Sequence, residues 1–123
     1  MSRLRSIILK VILICWLVLL LSLQSLAEPV VVGIASFYGK RHQGRKTASG
    51  SIFDPNQLTA ASRTLPFGTR VKVTCLRTGQ WAYVTITDRG PYVKKRLLDL
   101  APAVAKLLGV KPDGLIRIEM EVQ

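Results

Sequence analysis

Proton transfer is the chemistry this sequence is best equipped for, and few residues can carry it. The chain has 123 residues but only seven acidic ones and a single histidine. Asp54 stands in Ile52-Phe53-Asp54-Pro55, at the end of a basic loop that contains Gly39, Gly44 and Gly50. Asp88 stands in Asp88-Arg89-Gly90-Pro91, where an alternating segment runs into a turn. A carboxylate held against apolar groups keeps its proton to higher pH and can serve as an acid. Phe53, Tyr38 and Tyr92 offer such walls and can stack on sugar rings; equally, they can fill a core. Each aspartate also has a plainer reading. Asp54 before Pro55 can form a turn, and Asp88 can bond turn amides or pair with Arg89. Glu119 and Glu121 read as surface charges on a strand, Asp113 as a turn residue before Gly114, and Asp99 as an acid at the positive end of a helix. With no CxxC, no His pair and no glycine-rich phosphate motif, neither a metal nor a cofactor is expected.

The elements that must position these residues are mostly strands. Val30–Phe37 is β-rich, and both Arg70–Leu76 and Trp81–Thr87 alternate. The turn Arg77-Thr78-Gly79-Gln80 between the latter two predicts a hairpin. Leu115–Val122 places Ile116, Ile118, Met120 and Val122 on one face, with Arg117, Glu119 and Glu121 on the other. One short helix is predicted, with Pro102 at its first position, Ala103–Leu108 as its body and Gly109 as its stop; Ala101 is a poor N-cap. Many short strands with little helix point to a small closed barrel. Cys75 shares the inward face of its strand with Val71 and Val73, so it reads as a small core residue whose buried thiol keeps its proton.

The N-terminus is of a different kind. Arg3, Arg5 and Lys10 precede and enter an apolar run over residues 11–23, and Ser25 and Ala27 occupy the two small-residue positions of a signal-peptidase site. Residues 1–27 therefore read as a signal peptide or, if uncleaved, as an anchor, since about 20 apolar residues span a bilayer. Residues 28–123 then form one exported domain. It carries 15 basic and 7 acidic residues, a net charge of +8. That charge predicts an anionic partner or surface, or serves solubility alone. Lys40, Arg41, Arg45 and Lys46 contribute to it from the glycine loop.

A set of ordered motifs narrows the reading. Gly33-Ile34-Ala35-Ser36-Phe37-Tyr38-Gly39, Gly44-Arg45-Lys46-Thr47-Ala48-Ser49-Gly50 and Leu58-Thr59-Ala60-Ala61 are followed by Leu65-Pro66-Phe67-Gly68-Thr69. Val84-Thr85-Ile86-Thr87-Asp88-Arg89-Gly90-Pro91 and Arg96-Leu97-Leu98-Asp99-Leu100 complete the series. In content and order these blocks resemble the rare lipoprotein A-like family, over roughly residues 33–122. The resemblance implies a mainly β fold, a six-stranded double-psi β-barrel with one or two short helices. It implies a bacterial envelope protein acting on peptidoglycan, some relatives being lytic transglycosylases that prefer glycan stripped of stem peptides. Expansins, which loosen walls without obvious hydrolysis, share the barrel. Asp54 and Asp88 are the expected catalytic residues: on this resemblance Asp54 is the proton-transferring acid, and Asp88 holds or orients the loop. Tyr38, Lys46, Thr47, Ser51, Ser62, Arg89 and Tyr92 are the expected contacts to glycan.

Two positions depart from the family pattern. The family's Thr-Ala-x-Gly-Glu becomes Thr47-Ala48-Ser49-Gly50-Ser51, and its Ala-Ala-His becomes Ala60-Ala61-Ser62. The family Glu and His are thus serines, which do not act as general acids near neutral pH. His42 falls outside the matched motifs. The expected activity is a lytic transglycosylase, a lyase reaction. The alternative is a non-catalytic peptidoglycan-binding or wall-loosening barrel. The expected partner is the glycan strand, not nucleic acid; the domain is expected to be monomeric, with membrane contact only through an uncleaved N-terminus.

Overall fold

The computed structural model describes residues 1–25, 29–39 and 42–123. Lys40 and Arg41 lie outside the described residues, as does the Ala27–Glu28 junction where cleavage is expected.

Helix α1 spans Ser2–Ser25. It carries Arg3, Arg5 and Lys10 in its first half, and over Ser2–Ser22 it is long and apolar enough to cross a membrane. None of that stretch is covered by the rest of the chain.

The remaining elements are β1 (Val30–Phe37), β2 (Thr59–Ala61), β3 (Arg70–Cys75), β4 (Trp81–Asp88), β5 (Arg96–Leu100), α2 (Pro102–Leu108) and β6 (Leu115–Val122). The strands close into a barrel in the order β1-β5-β2-β4-β3-β6. Pairs β1–β5 and β2–β4 are parallel, and the other four are antiparallel. Closure leaves no unpaired strand edge. The expected hairpin is β3–β4, and its turn glycine, Gly79, has the positive φ that such a turn needs. The core follows the alternation of its strands. Val71, Val73 and Cys75 on β3 face Ala82, Val84 and Ile86 on β4, and all six are buried. Leu98 and Leu100 of β5, Ile118 of β6, and Val104 and Leu108 of α2 complete the interior. Each such fully buried aliphatic side chain stabilises the fold by about 1.5–3 kcal/mol.

Two expectations need correction. Asp99 does not cap a helix: it lies within β5, and α2 begins behind Ala101 without any side-chain cap. The Cys75 thiol is buried as expected, but its affinity for the proton is not raised. Burial pushes the pKa up, but hydrogen bonds from the Thr78 side chain and from the Thr78 and Arg77 backbone outweigh it and hold the thiol below its ordinary value.

Candidate active site

The barrel brings two acidic strand ends to the two sides of one small strand. Ala61 of β2 pairs with Asp88 of β4 on one side and with Asp99 of β5 on the other. Two strand spacings put the backbones of the two aspartates on the order of 10 Å apart. Both parallel pairs slip register just before the site, between Ala60 and Ala61 and between Ile34 and Ala35. Such irregularities re-aim side chains at the rims of barrels. The end of β1 adds Ser36, opposite Asp99 in the ladder, and then Tyr38.

Ser36, Tyr38, Asp88 and Asp99 line a cleft of about 680 Å³ together with His42, Arg89, Tyr92 and Arg96. Tyr38 is 7% exposed and donates its phenol proton to Asp88 Oδ2 at 2.8 Å. Burial first, and then the bond and charge of Asp88, push that phenol far above its ordinary range. Asp88 Oδ1 accepts from the amides of Ala48 at 2.8 Å and Arg89 at 2.9 Å. Asp88 is therefore an acceptor for three donors and ties β1, the glycine loop and its own turn together.

Asp99 is held differently. Among the described residues, its hydrogen-bond donor is Ser36 Oγ, at 3.2 Å. Burial raises its pKa; the Ser36 bond and the charges of His42 and Arg96 oppose the rise without cancelling it. A carboxyl whose pKa is raised by burial beside an open cleft is better suited to give a proton away than an ordinary one. Reading Asp99 as a helix acid missed this role. The available signal was an aspartate inside Leu97-Leu98-Asp99-Leu100, where alternation sets it on the face opposite the core leucines.

Of the other expected site residues, Arg89 and Tyr92 line the cleft, whereas Lys46, Thr47, Ser51, Ser62 and Asp54 do not. Tyr92 stands at its rim, 81% exposed. Arg89 borders it, but its guanidinium donates to the carbonyls of Ser62 and Leu65 at 3.0 and 2.8 Å and lies over the Phe67 ring. Ser62 is buried, and its Oγ accepts from the amides of Thr64 and Leu65, closing the turn that Arg89 clips. Thr47, Ser49 and Ser51 form a triangle of hydroxyls with sides of 2.8–3.0 Å. Ala48 couples that triangle to Asp88. Lys46 is exposed beside it. Asp54 does not line the cleft; its Oδ1 accepts from the Asn56 amide at 2.9 Å in a local turn. A larger concavity, about 1140 Å³, lies between the end of β3, α2 and the start of β6, but Asp113 is its only acid and no acid–base pair faces it. Among the described residues, no three His, Cys, Asp or Glu side chains come together to hold a metal.

Residues 30–120 match the profile of a family described as lytic transglycolase. The probable endolytic peptidoglycan transglycosylase RlpA of Synechocystis sp. is 50% identical over 90 residues, covering 73% of this chain and 28% of that protein. The protein of the same name from Aquifex aeolicus is also 50% identical over 90 residues, covering 73% of this chain and 40% of its own length. The endolytic peptidoglycan transglycosylase RlpA of Pasteurella multocida is 48% identical over 90 residues, 73% of this chain and 31% of that one. The chain thus spans well under half the length of these relatives. Among solved structures, the Streptomyces papain inhibitor superposes with a TM-score of 0.59 at 21% identity, covering 76% of this chain and 94% of the inhibitor. An apo expansin from Clavibacter michiganensis superposes with a TM-score of 0.61 at 21% identity, covering 77% of this chain and 50% of the expansin. At those identities the likeness is one of fold.

Proposed function

The chain belongs to the lytic transglycolase family, and from that premise we propose that it cleaves peptidoglycan glycan strands to leave 1,6-anhydro-muramyl ends. The observation that carries the reading is the cleft in which Asp88 accepts from three donors while Asp99, partly buried, has its pKa raised by that burial. The reaction needs one group to protonate the glycosidic oxygen. The muramyl 6-hydroxyl then attacks C1 in place of water, giving up its proton to a base in the cleft, so no carboxylate is required as nucleophile, unlike in the retaining hydrolases. We assign the acid to Asp99 rather than Asp54, because Asp99 lines the cleft and Asp54 does not. Asp88 acts by holding the Tyr38 phenol in the cleft wall and the Ala48 amide of the 47–51 loop. Tyr92, exposed at the rim, offers its ring to a sugar face. The protein works as an exported monomer, with residues 1–27 serving as its signal peptide or anchor and residues 28–123 as the domain that meets the wall.

A second reading rests on Ser51 and Ser62, which stand where the family has Glu and His. In it the barrel binds glycan strands without cutting them. Incubating the protein with intact and peptide-stripped sacculi, followed by mass spectrometry of the released material, separates the two. Anhydro-muramyl ends that Asp99→Asn abolishes and Asp54→Asn preserves are the expected result. Binding without such ends establishes the second reading; ends that survive Asp99→Asn show the acid to be elsewhere.

A further inference from the structure

The lone histidine has a place in this cleft that its sequence position, outside every family motif, does not announce. His42 lines the cleft wall with Asp88, Asp99, Tyr38, Tyr92, Arg89 and Arg96. Its backbone amide donates to the Gly39 carbonyl at 3.2 Å, and its own carbonyl accepts from the Arg45 amide at 3.1 Å. The ring meets Tyr38 edge-on at 5.0 Å between centroids and Phe53 at 6.5 Å. These contacts fix where the imidazole stands. A further bond fixes which nitrogen is free: Nδ1 lies 3.2 Å from the Gly39 carbonyl oxygen. A carbonyl only accepts, so in the neutral ring Nδ1 carries the proton and Nε2 carries the lone pair. The ring is also close enough to Asp99 for its positive form to favour the Asp99 carboxylate.

We propose that His42 is a catalytic base of the transglycosylase reaction, its Nε2 taking the proton of the muramyl 6-hydroxyl while Asp99 supplies the proton to the leaving oxygen. The proposal rests on the lytic reading above and gives it the second proton-transfer group that Ser51 and Ser62 cannot provide. The step balances without a co-reactant. Asp99 delivers its proton to the glycosidic oxygen as the bond from C1 to that oxygen breaks. The 6-hydroxyl oxygen bonds to C1, and its proton passes to Nε2. The site is left with His42 protonated and Asp99 ionised, two opposite charges within reach of each other. Exchange with solvent water, which takes the proton from His42 and returns one to Asp99, restores the starting state.

The test uses the full chain and its two variants His42→Phe and His42→Ala, with release of anhydro-muramyl ends from sacculi as the activity. Phenylalanine keeps a ring against Tyr38 and Phe53, so thermal melts of His42→Phe show whether packing survives. Both variants are expected to lose activity on the order of a hundredfold or more. The acid-side limb of the kcat/KM profile, where the base gains its proton, should disappear with the imidazole. Free imidazole should restore part of the activity of His42→Ala, because the vacated space sits in an open cleft. His42→Phe keeping activity within about threefold of wild type, against the loss expected for a base, overturns the proposal. So does a loss that imidazole leaves untouched while the pH profile keeps its shape. If the wild type itself forms no anhydro ends, the lytic reading fails, and this step fails with it; that outcome is read from the wild type alone.

Discussion

Asp99 and Cys75 show how a neighbour can decide the state of a titratable side chain. For Asp99 burial prevails, so the folded protein binds the proton more tightly than the unfolded chain does. Its stabilising contribution is therefore complete below the unfolded value of about 3.9 and is lost as pH rises through the raised native value. The amide introduced by Asp99→Asn has no such proton to lose. Melting temperatures of wild type and Asp99→Asn, followed upward from about pH 4, should diverge, the wild type falling and the variant staying flatter. Parallel curves would show that Asp99 is not desolvated. For Cys75, solvent cannot reach the sulfur, which is 0% exposed although its thiol sits below the ordinary value. Alkylation of the native protein, mapped by mass spectrometry, should label the exposed Cys15 and spare Cys75. Cys75→Ser should cost about 1–3 kcal/mol, because a hydroxyl is harder to desolvate than a thiol. At this scale the sequence was half legible. Cys75 was placed in the core by the alternation of Val71, Val73 and Cys75, and Asp88 was singled out because a strand ran into its turn. Asp99 and His42 were not placed in the site, since neither residue's local pattern reveals which strand ends or loops the topology sets beside it.

Strands were legible where the alternation was long. β1 and β6 have the extents that their sequences predict, and the β3–β4 hairpin follows from a four-residue turn. β2 is three residues long, too short for any period to show, yet it lies between the strands bearing Asp88 and Asp99. The sequence patterns named four strands, those that became β1, β3, β4 and β6; neither β2 nor β5 was among them, and only the motif resemblance implied six. Gly33 in β1 shows what close packing between elements requires. A Cβ built on Gly33 would fall 2.5 Å from Leu97 Cδ1 and 2.6 Å from Leu97 Cγ, the latter too near the backbone to swing freely aside. Gly33→Ala should therefore destabilise the barrel by about 1–3 kcal/mol, the usual cost of overpacking. Trimming the neighbour in Gly33→Ala/Leu97→Ala should recover part of it. Denaturant melts of the two variants decide the matter. A single mutant as stable as wild type would mean that Leu97 repacks freely and that the β1–β5 contact is loose.

At the scale of the whole molecule, the core runs from Ala35 to Ile118 and takes nothing from α1. Removing residues 1–27 is thus expected to leave a folded domain whose circular dichroism shows the barrel; an unfolded 28–123 chain would mean that α1 contributes to the fold. That domain carries a net +8, so its binding to sacculi should have two components. The charged component comes from solvated side chains, Arg45 and Lys46 among them, which are exposed next to the hydroxyl triangle. Their attraction is screened beyond roughly 8 Å at physiological ionic strength and shrinks further as salt is added. The second component is ring stacking. Tyr38 cannot supply it, being 7% exposed and bonded to Asp88, so it falls to Tyr92 at 81% exposure. Stacking is an apolar contact that screening leaves in place. Sedimentation of the protein with sacculi across a salt series should show binding that declines to a plateau, and Tyr92→Ala should remove the plateau while sparing the low-salt binding. Binding that disappears entirely at moderate salt would assign recognition to charge alone; binding indifferent to salt would leave the basic excess without a part in it.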